Sequence, residues 1–157
     1  MKTAIGISAN NRKIVSDQLA ILLADEFVLY TKTLNAHWNV EGPDFHSVHV
    51  YLEDLYNESA KIIDVVAERI RQLGHYVSGN LKDMLKLTHL SEQYEGENTS
   101  AGYYKELLSD HESIIMFIRG NIEEFNDAHK DAGTGDFITG LMEKHEKTAW
   151  MLRSHLK

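Results

Sequence analysis

The sequence contains no cysteine among its 157 residues. Without thiols, the chain has no disulfide framework, no thiolate metal site and no cysteine nucleophile. Any metal that the protein binds must therefore be held by histidine, aspartate or glutamate side chains. The sequence supplies nine histidines and 24 acidic residues for that purpose.

Basic residues are scarce relative to acidic ones. The chain has 16 lysines and arginines against 24 aspartates and glutamates, which gives a formal net charge of −8. This is the wrong sign for a protein that wraps nucleic acid, unless a local basic segment compensates. The charge therefore favours cations over nucleic acids as binding partners.

The sequence also lacks a long apolar run near its start. The opening residues, MKTAIGISANNRK, contain too few apolar positions for a secretory signal. Apolar residues make up 43% and charged residues 25% of the chain, as in an ordinary globular protein. We therefore predict one cytoplasmic domain over residues 1–157, with a short N-terminal tail over residues 1–12 and no membrane partner.

Apolar residues recur at steps of three and four along four segments, which is the period of an amphipathic helix. Gly42 and Pro43 lie between the first two segments, and Gly74 follows the second, where glycine and proline typically delimit helices. Gly133 and Gly135 are predicted to separate the last two helices. The four apolar stripes span residues 15–37, 45–73, 104–125 and 138–156.

The segment from Gly74 to Ser100 is polar and is interrupted by glycines. It contains one short apolar stretch, LKDMLKL, which predicts a small helix. No segment shows the sustained alternation of a strand, and the longest connection joins the second and third helices. The pattern predicts an all-α four-helix bundle with a short helix in one long crossover.

Four potential metal ligands lie on the second predicted helix. His49 and Glu53 are four residues apart and share one face, as do Asp64 and Glu68. The two pairs point in nearly the same direction, but they are about 16 Å apart along the helix axis. One metal ion cannot join them within one helix, because its ligand bonds are only about 2 Å long.

These ligand pairs are predicted to face another chain. His49, Glu53 and Asp64 each follow an apolar core position, which turns them about 100° away from the bundle interior. If two copies pack their second helices antiparallel about a two-fold axis, two equivalent sites form between them. His37, at the end of the first helix, completes each histidine-rich half. The three core positions are Val48, Leu52 and Ile63.

A di-iron site inside one bundle is the main alternative, and it requires a Glu-x-x-His motif on two helices. The sequence contains no such motif. Two imidazoles with several carboxylates suit iron, manganese or zinc, and the ligand types alone do not choose among these metals. His111 and His145 are interpreted as hydrogen-bonded core residues, and Trp38 as a packing residue.

Two stretches carry a specific family resemblance. They are HWNVEGPDFHSVH, which is followed by Glu53, and DVVAERIRQLG, which runs from Asp64 to Gly74. In residue type and spacing, they resemble the signature stretches of the Dps proteins, small ferritin-like cages also called DNA-binding proteins from starved cells. The resemblance covers nearly the whole chain. Many relatives carry aspartate at the position of Glu53, whose carboxylate reaches one methylene further.

The resemblance implies a hollow homododecamer with iron-oxidising (ferroxidase) centres at its two-fold interfaces. His37, His49 and Glu53 of one subunit would meet Asp64 and Glu68 of its neighbour. There the family binds ferrous iron and oxidises it, usually with hydrogen peroxide and otherwise with oxygen. The ferric product is stored as a mineral inside the cage, which protects against oxidative damage.

The resemblance also implies acidic pores near the junction of the third and fourth helices. Asp127, Asp131 and Asp136 are spaced four and five residues apart there, around a glycine-rich turn. Three copies of this segment would form rings of carboxylates that attract ferrous ions. Alternatively, Asp136 caps the fourth helix and Asp131 is an ordinary turn residue.

Two other functions are kept as alternatives. DNA compaction in the family depends largely on basic terminal tails, and this chain has few basic residues near its two ends, so we expect little or no DNA binding. The other alternative is an oligomeric helical bundle without chemistry. The basic residues concerned are Lys2, Arg12, Lys13, Arg153 and Lys157.

Overall fold

The computed structural model describes residues 3–157, which form helices joined by loops. Four long helices and one short helix follow one another, and a π-helical turn connects the last two. The predicted four-helix bundle, with a short helix in its long crossover, is confirmed. The elements are α1 (Ala9–Asn39), α2 (Phe45–Gln72), α3 (Leu81–Leu87), α4 (Ser100–Glu123), the π-helical turn (Glu124–Ala128) and α5 (Ala132–His155).

Apolar side chains from all four long helices form the core. Helix α1 packs along α2, α4 packs along α5, and α3 lies against α1. Leu19, Leu52, Ile118 and Ile138, one from each long helix, have at most 1% of their surface exposed. They belong to the predicted apolar stripes, whose burial stabilises the bundle. Among residues 3–157, no helix is both long and apolar enough to cross a membrane.

The N-terminal tail is shorter than predicted. Helix α1 begins at Ala9, and Ser8 Oγ accepts a hydrogen bond from the backbone N–H of Asn11 at 3.1 Å. Residues 9–12, predicted as tail, are therefore helical, because the serine satisfies a free N–H group of the first turn. The end of α2 agrees with the prediction, since Gly74 follows it with a φ of +91°, a conformation that favours glycine.

The boundary between α4 and α5 differs from the prediction. Gly133 and Gly135 lie inside the first turn of α5 instead of separating the two helices. The N-cap is Asp131, whose Oδ1 accepts a hydrogen bond from the backbone N–H of Thr134 at 2.9 Å. A Cβ atom at position 135 would collide with the side-chain amide of Asn126, so any other residue there would require this side chain to move.

Candidate metal centre

The last turn of α1 and the second turn of α2 bring His37 and His49 together. Their rings are stacked, with centroids 3.8 Å apart and planes inclined by 21°. His37 Nδ1 lies 2.9 Å from the carbonyl oxygen of His49, and His49 Nδ1 lies 2.8 Å from the carbonyl oxygen of His37. Only 9% of His37 is exposed, and His49 is half-buried.

These reciprocal hydrogen bonds fix the tautomer of both neutral rings. A carbonyl oxygen only accepts hydrogen bonds, so each Nδ1 carries the proton and donates it. The lone pair of each ring is then on Nε2, and an imidazole nitrogen with a free lone pair is a metal ligand. Folding of one chain therefore holds two potential ligands side by side.

The short loop between α1 and α2 sets this arrangement. Gly42 adopts a φ of +136°, and the N–H of Glu41 donates to the carbonyl oxygen of Asn98 at 2.7 Å. This bond ties the loop to the crossover. The Phe45 ring packs near His49, with 5.0 Å between the ring centroids. The glycine between the two histidines thus has a structural reason, since the chain must reverse direction tightly to stack them.

Glu53 lies on the exposed face of α2, one turn after His49. Tyr56 contacts both parts of the site, because its hydroxyl donates to Glu53 Oε1 at 3.5 Å and its ring packs edge-on against His37 with 5.2 Å between centroids. Burial and the Glu53 carboxylate raise the pKa of Tyr56, since both disfavour the phenolate. Tyr56 was not among the predicted site residues, although its spacing from Glu53 places it on the same face.

Asp64 and Glu68 lie further along α2, and both are exposed. Within the described part of the chain, no three histidine, aspartate or glutamate side chains form a group that could hold a metal ion. One chain thus brings the two histidines together without a complete ligand set. The core residue near Asp64 is Ile62, whereas Ile63, which was predicted to be in the core, is only half-buried.

Comparison with known proteins identifies the family. Residues 16–157 match the family model of the ferritin-like domain. The DNA protection during starvation protein 2 of Bacillus anthracis is 36% identical over 92% of this chain and 97% of its own length. The chain belongs to the Dps family of ferritin-like proteins.

Two further similarities extend over almost the whole Dps chain. An uncharacterized low temperature-induced protein of Nostoc is 40% identical over 98% of this chain and 86% of its own length. The crystal structure of a Dps protein from Vibrio cholerae has a TM-score of 0.93 and 26% identity, over 100% of this chain and 98% of that one. That protein is described as a member of a broad superfamily of ferritin-like diiron-carboxylate proteins.

The three aspartates predicted to line a pore in this Dps chain do not share one environment. Asp127, in the π-helical turn, and Asp136, in α5, are exposed. Asp131 is only 2% exposed. Its Oδ1 caps α5 and also lies 3.1 Å from Arg69 Nη2. Because an ion pair compensates the charge of Asp131, only Asp127 and Asp136 of the three remain candidates for the pore. Arg69 was not among the residues predicted to matter here.

The structure also tests the roles predicted for His111, His145 and Trp38 in this Dps chain. His111 and His145 are buried and hydrogen-bonded to each other, which confirms their interpretation as core residues. Trp38 is 68% exposed, so its predicted packing role is wrong within one chain. The reason is that Trp38 follows the inward-facing His37 and is turned about 100° round the helix from it.

Proposed function

We propose that this protein oxidises ferrous iron at sites shared by two chains and stores the ferric product inside a hollow homododecamer. The observation that carries the proposal is the stacked pair of His37 and His49, whose tautomers leave two ligand nitrogens free. The remaining ligands that such a site needs are not grouped with this pair in the described residues. The ferritin-like and Dps relatives support iron as the metal.

Each proposed site combines two antiparallel α2 helices related by a two-fold axis. His37, His49 and Glu53 come from one chain, while Asp64 and Glu68 come from the neighbouring chain. The symmetry produces a second, equivalent site at the other end of the helix pair. Exposed aromatic side chains beside the histidines support an interface there, because aromatic residues are enriched where proteins contact each other. These side chains are Trp38 and Phe45.

The ligand types fit the proposed chemistry. Imidazole nitrogens together with carboxylate oxygens suit ferrous iron. The carboxylates also favour the ferric product, because their attraction for the ion grows as its charge rises from two to three. Hydrogen peroxide accepts two electrons and two protons to give two water molecules, and two ferrous ions supply one electron each. The reaction consumes both reagents that would otherwise generate hydroxyl radicals.

Anaerobic titration with hydrogen peroxide tests this function. Protein loaded with ferrous iron should consume one molecule of hydrogen peroxide for every two ferrous ions. A spin trap should detect far less hydroxyl radical than with free ferrous iron. Oxygen in place of peroxide should oxidise the iron more slowly. Radical formation at the level of free ferrous iron would contradict the proposal.

Ferrous ions need a route into a closed cage, and we propose that Asp127 and Asp136 attract them to it. Replacing both with asparagine removes charge at nearly constant shape, so iron uptake at low salt should slow by about tenfold while the cage still assembles. High salt should reduce the difference, since it screens the carboxylates. An unchanged uptake rate in the assembled double variant would exclude these residues.

Asp131→Asn is the matched control for this experiment. Its carboxylate is buried against Arg69 and caps α5. Asparagine caps a helix about as well as aspartate, so the substitution should lower the free energy of unfolding mainly through loss of the ion pair with Arg69. Iron uptake by the assembled Asp131→Asn protein should stay at the wild-type rate.

DNA protection is a second candidate function, because a relative carries that name. The candidate basic residues are largely engaged within the chain. Arg12 donates to a backbone carbonyl, while Lys13 and Arg153 form ion pairs with acidic side chains. Lys2 lies outside the described residues. Arg12, Lys13 and Arg153 are thus engaged within the chain, whereas Lys157 is exposed.

We expect the assembled protein to retain little or no duplex DNA in a gel shift at physiological salt. Each chain contributes a net charge of −8, and phosphate contacts would have to overcome that repulsion. Binding that appears only at low salt would agree with this expectation. Tight retention at physiological salt would overturn it.

A further inference from the structure

Three buried titratable side chains form a connected row inside the bundle. Glu26 on α1, His145 on α5 and His111 on α4 are 0%, 2% and 6% exposed. His145 Nε2 lies 2.7 Å from Glu26 Oε1, and His145 Nδ1 lies 2.8 Å from His111 Nδ1. Glu26 is about 16 Å along α1 from His37, so this row is separate from the candidate metal centre.

When Glu26 is ionised and both rings are neutral, the chemistry of the atoms fixes the direction of both hydrogen bonds. A carboxylate only accepts, so His145 donates to it through Nε2. His145 Nδ1 is then an acceptor, and His111 donates to it through its own Nδ1. His111 Nε2 is left without a proton.

The ionised form leaves one negative charge in the core that is incompletely stabilised. Glu26 Oε2 is buried and has no hydrogen-bond partner among the described residues. Burying a charged group is costly unless hydrogen bonds or an opposite charge compensate. Binding of one proton by the row would remove this charge.

A small cavity gives the row a route to solvent. It has a volume of about 20 Å³, enough for roughly one water molecule, and is lined by both His111 and His145. Glu58 on α2 and Lys144 on α5 also line it, and they form an ion pair of 2.7 Å that reaches solvent. The Ser59 side chain completes its polar lining.

The other charged groups packed around the row are already paired. Asp110 on α4 lies 2.6 Å from Lys32 Nζ, and Asp25 on α1 accepts hydrogen bonds from the crossover. The pKa of His111 is held well below its ordinary value, first by burial and then by the neighbouring His145. His111 therefore does not remain positively charged, and a proton that binds there is followed by proton transfer to His145.

We propose that Glu26, His145 and His111 bind one proton as a unit, and that the proton enters from the cavity at His111 Nε2. Its arrival moves the Nδ1 proton of His111 to His145 Nδ1, and the Nε2 proton of His145 to Glu26. Both hydrogen bonds reverse direction, both rings end neutral, and the single negative charge of the row disappears. The bundle core thus contains a proton-binding site that is independent of iron oxidation.

Infrared difference spectroscopy of the assembled protein between about pH 8 and about pH 5, the range in which imidazole changes charge, tests this proposal. Lowering the pH should produce the C=O stretch of a protonated, buried carboxyl group, and Glu26→Gln should abolish that band. Asp110 is the matched control, because it is a second buried carboxyl group, and burial raises its pKa. Asp110→Asn should leave the Glu26 band in place.

His111→Asn tests the route of the proton. The asparagine amide keeps a donor near the position of His111 Nδ1, but it does not pass a proton on. We expect this variant to assemble and, after a rapid drop in pH, to form the carboxyl band more slowly than the wild-type protein. A band that persists in Glu26→Gln, or no band in the wild-type protein, would overturn proton binding at Glu26. A band that forms at the wild-type rate in His111→Asn would overturn entry at His111, and that comparison decides the proposal alone if Glu26→Gln does not assemble.

Discussion

Replacing both His37 and His49 with alanine is expected to lower the initial rate of ferrous iron oxidation by at least about 100-fold. At metal sites, loss of a residue that only hydrogen-bonds to a ligand already lowers metal affinity or activity by about 10- to 100-fold. The double substitution removes the two imidazole nitrogens that folding holds free. The carboxylates that remain provide oxygen ligands only. Stopped-flow absorbance of the ferric product, after anaerobic mixing with ferrous iron and peroxide, measures the rate.

His46→Ala is the matched control for this double variant. His46 is exposed and lies in the same stretch, three residues before His49. Its removal also deletes an imidazole, and we expect the wild-type rate. Gel filtration must show that all variants assemble equally. Equal rates in the wild type and the double variant would refute the metal-ligand assignment and favour a bundle without chemistry.

Co-assembly of two inactive variants is expected to restore iron oxidation. One variant carries His37→Ala with His49→Ala, and the other carries Asp64→Asn with Glu68→Gln. In a two-fold pair with one chain of each kind, one site joins two altered halves and the other joins two unaltered halves. Random pairing of equal amounts makes about half of the pairs mixed, so about one quarter of all sites should be intact.

The recovered rate should therefore approach about one quarter of the wild-type rate. Each variant assembled alone supplies the baseline, and two different affinity tags verify that the cages contain both chains. Variants that are mixed only after separate assembly should stay inactive, because their chains are not exchanged. Failure of verified mixed cages to recover would contradict sites shared between neighbouring chains.

The long helices were predictable because the apolar period is a local property of the sequence. Leu19 and Ile118 recur with their neighbours at steps of three and four, and both are buried as expected. The start of α5 was not predictable in the same way. Gly133 is a typical loop residue, but Asp131 begins the helix before it by capping Thr134. Such a boundary depends on a specific hydrogen bond more than on composition.

Spacing places the candidate ligand pairs of α2 on one face, whereas it does not reveal the contacts that orient His37 and His49. Ligand pairs four residues apart share a helix face in any helix. The stacking of His37 on His49 depends instead on how the loop between α1 and α2 folds. The ion pair between Arg69 and Asp131 joins residues 62 positions apart, so no local pattern reveals it.

The hydrogen bonds that orient His37 and His49 end on backbone carbonyl groups, and this has a consequence for the evolution of the site. No side-chain substitution deletes either acceptor, so the support of the two ligands depends on the length and the glycine turn of a loop instead of on a hydrogen-bonding side chain. A single insertion between residues 40 and 44 would misalign both rings while preserving every ligand. A comparison of residue identities alone would find every ligand present in such a homologue, although its two imidazole rings would no longer be stacked.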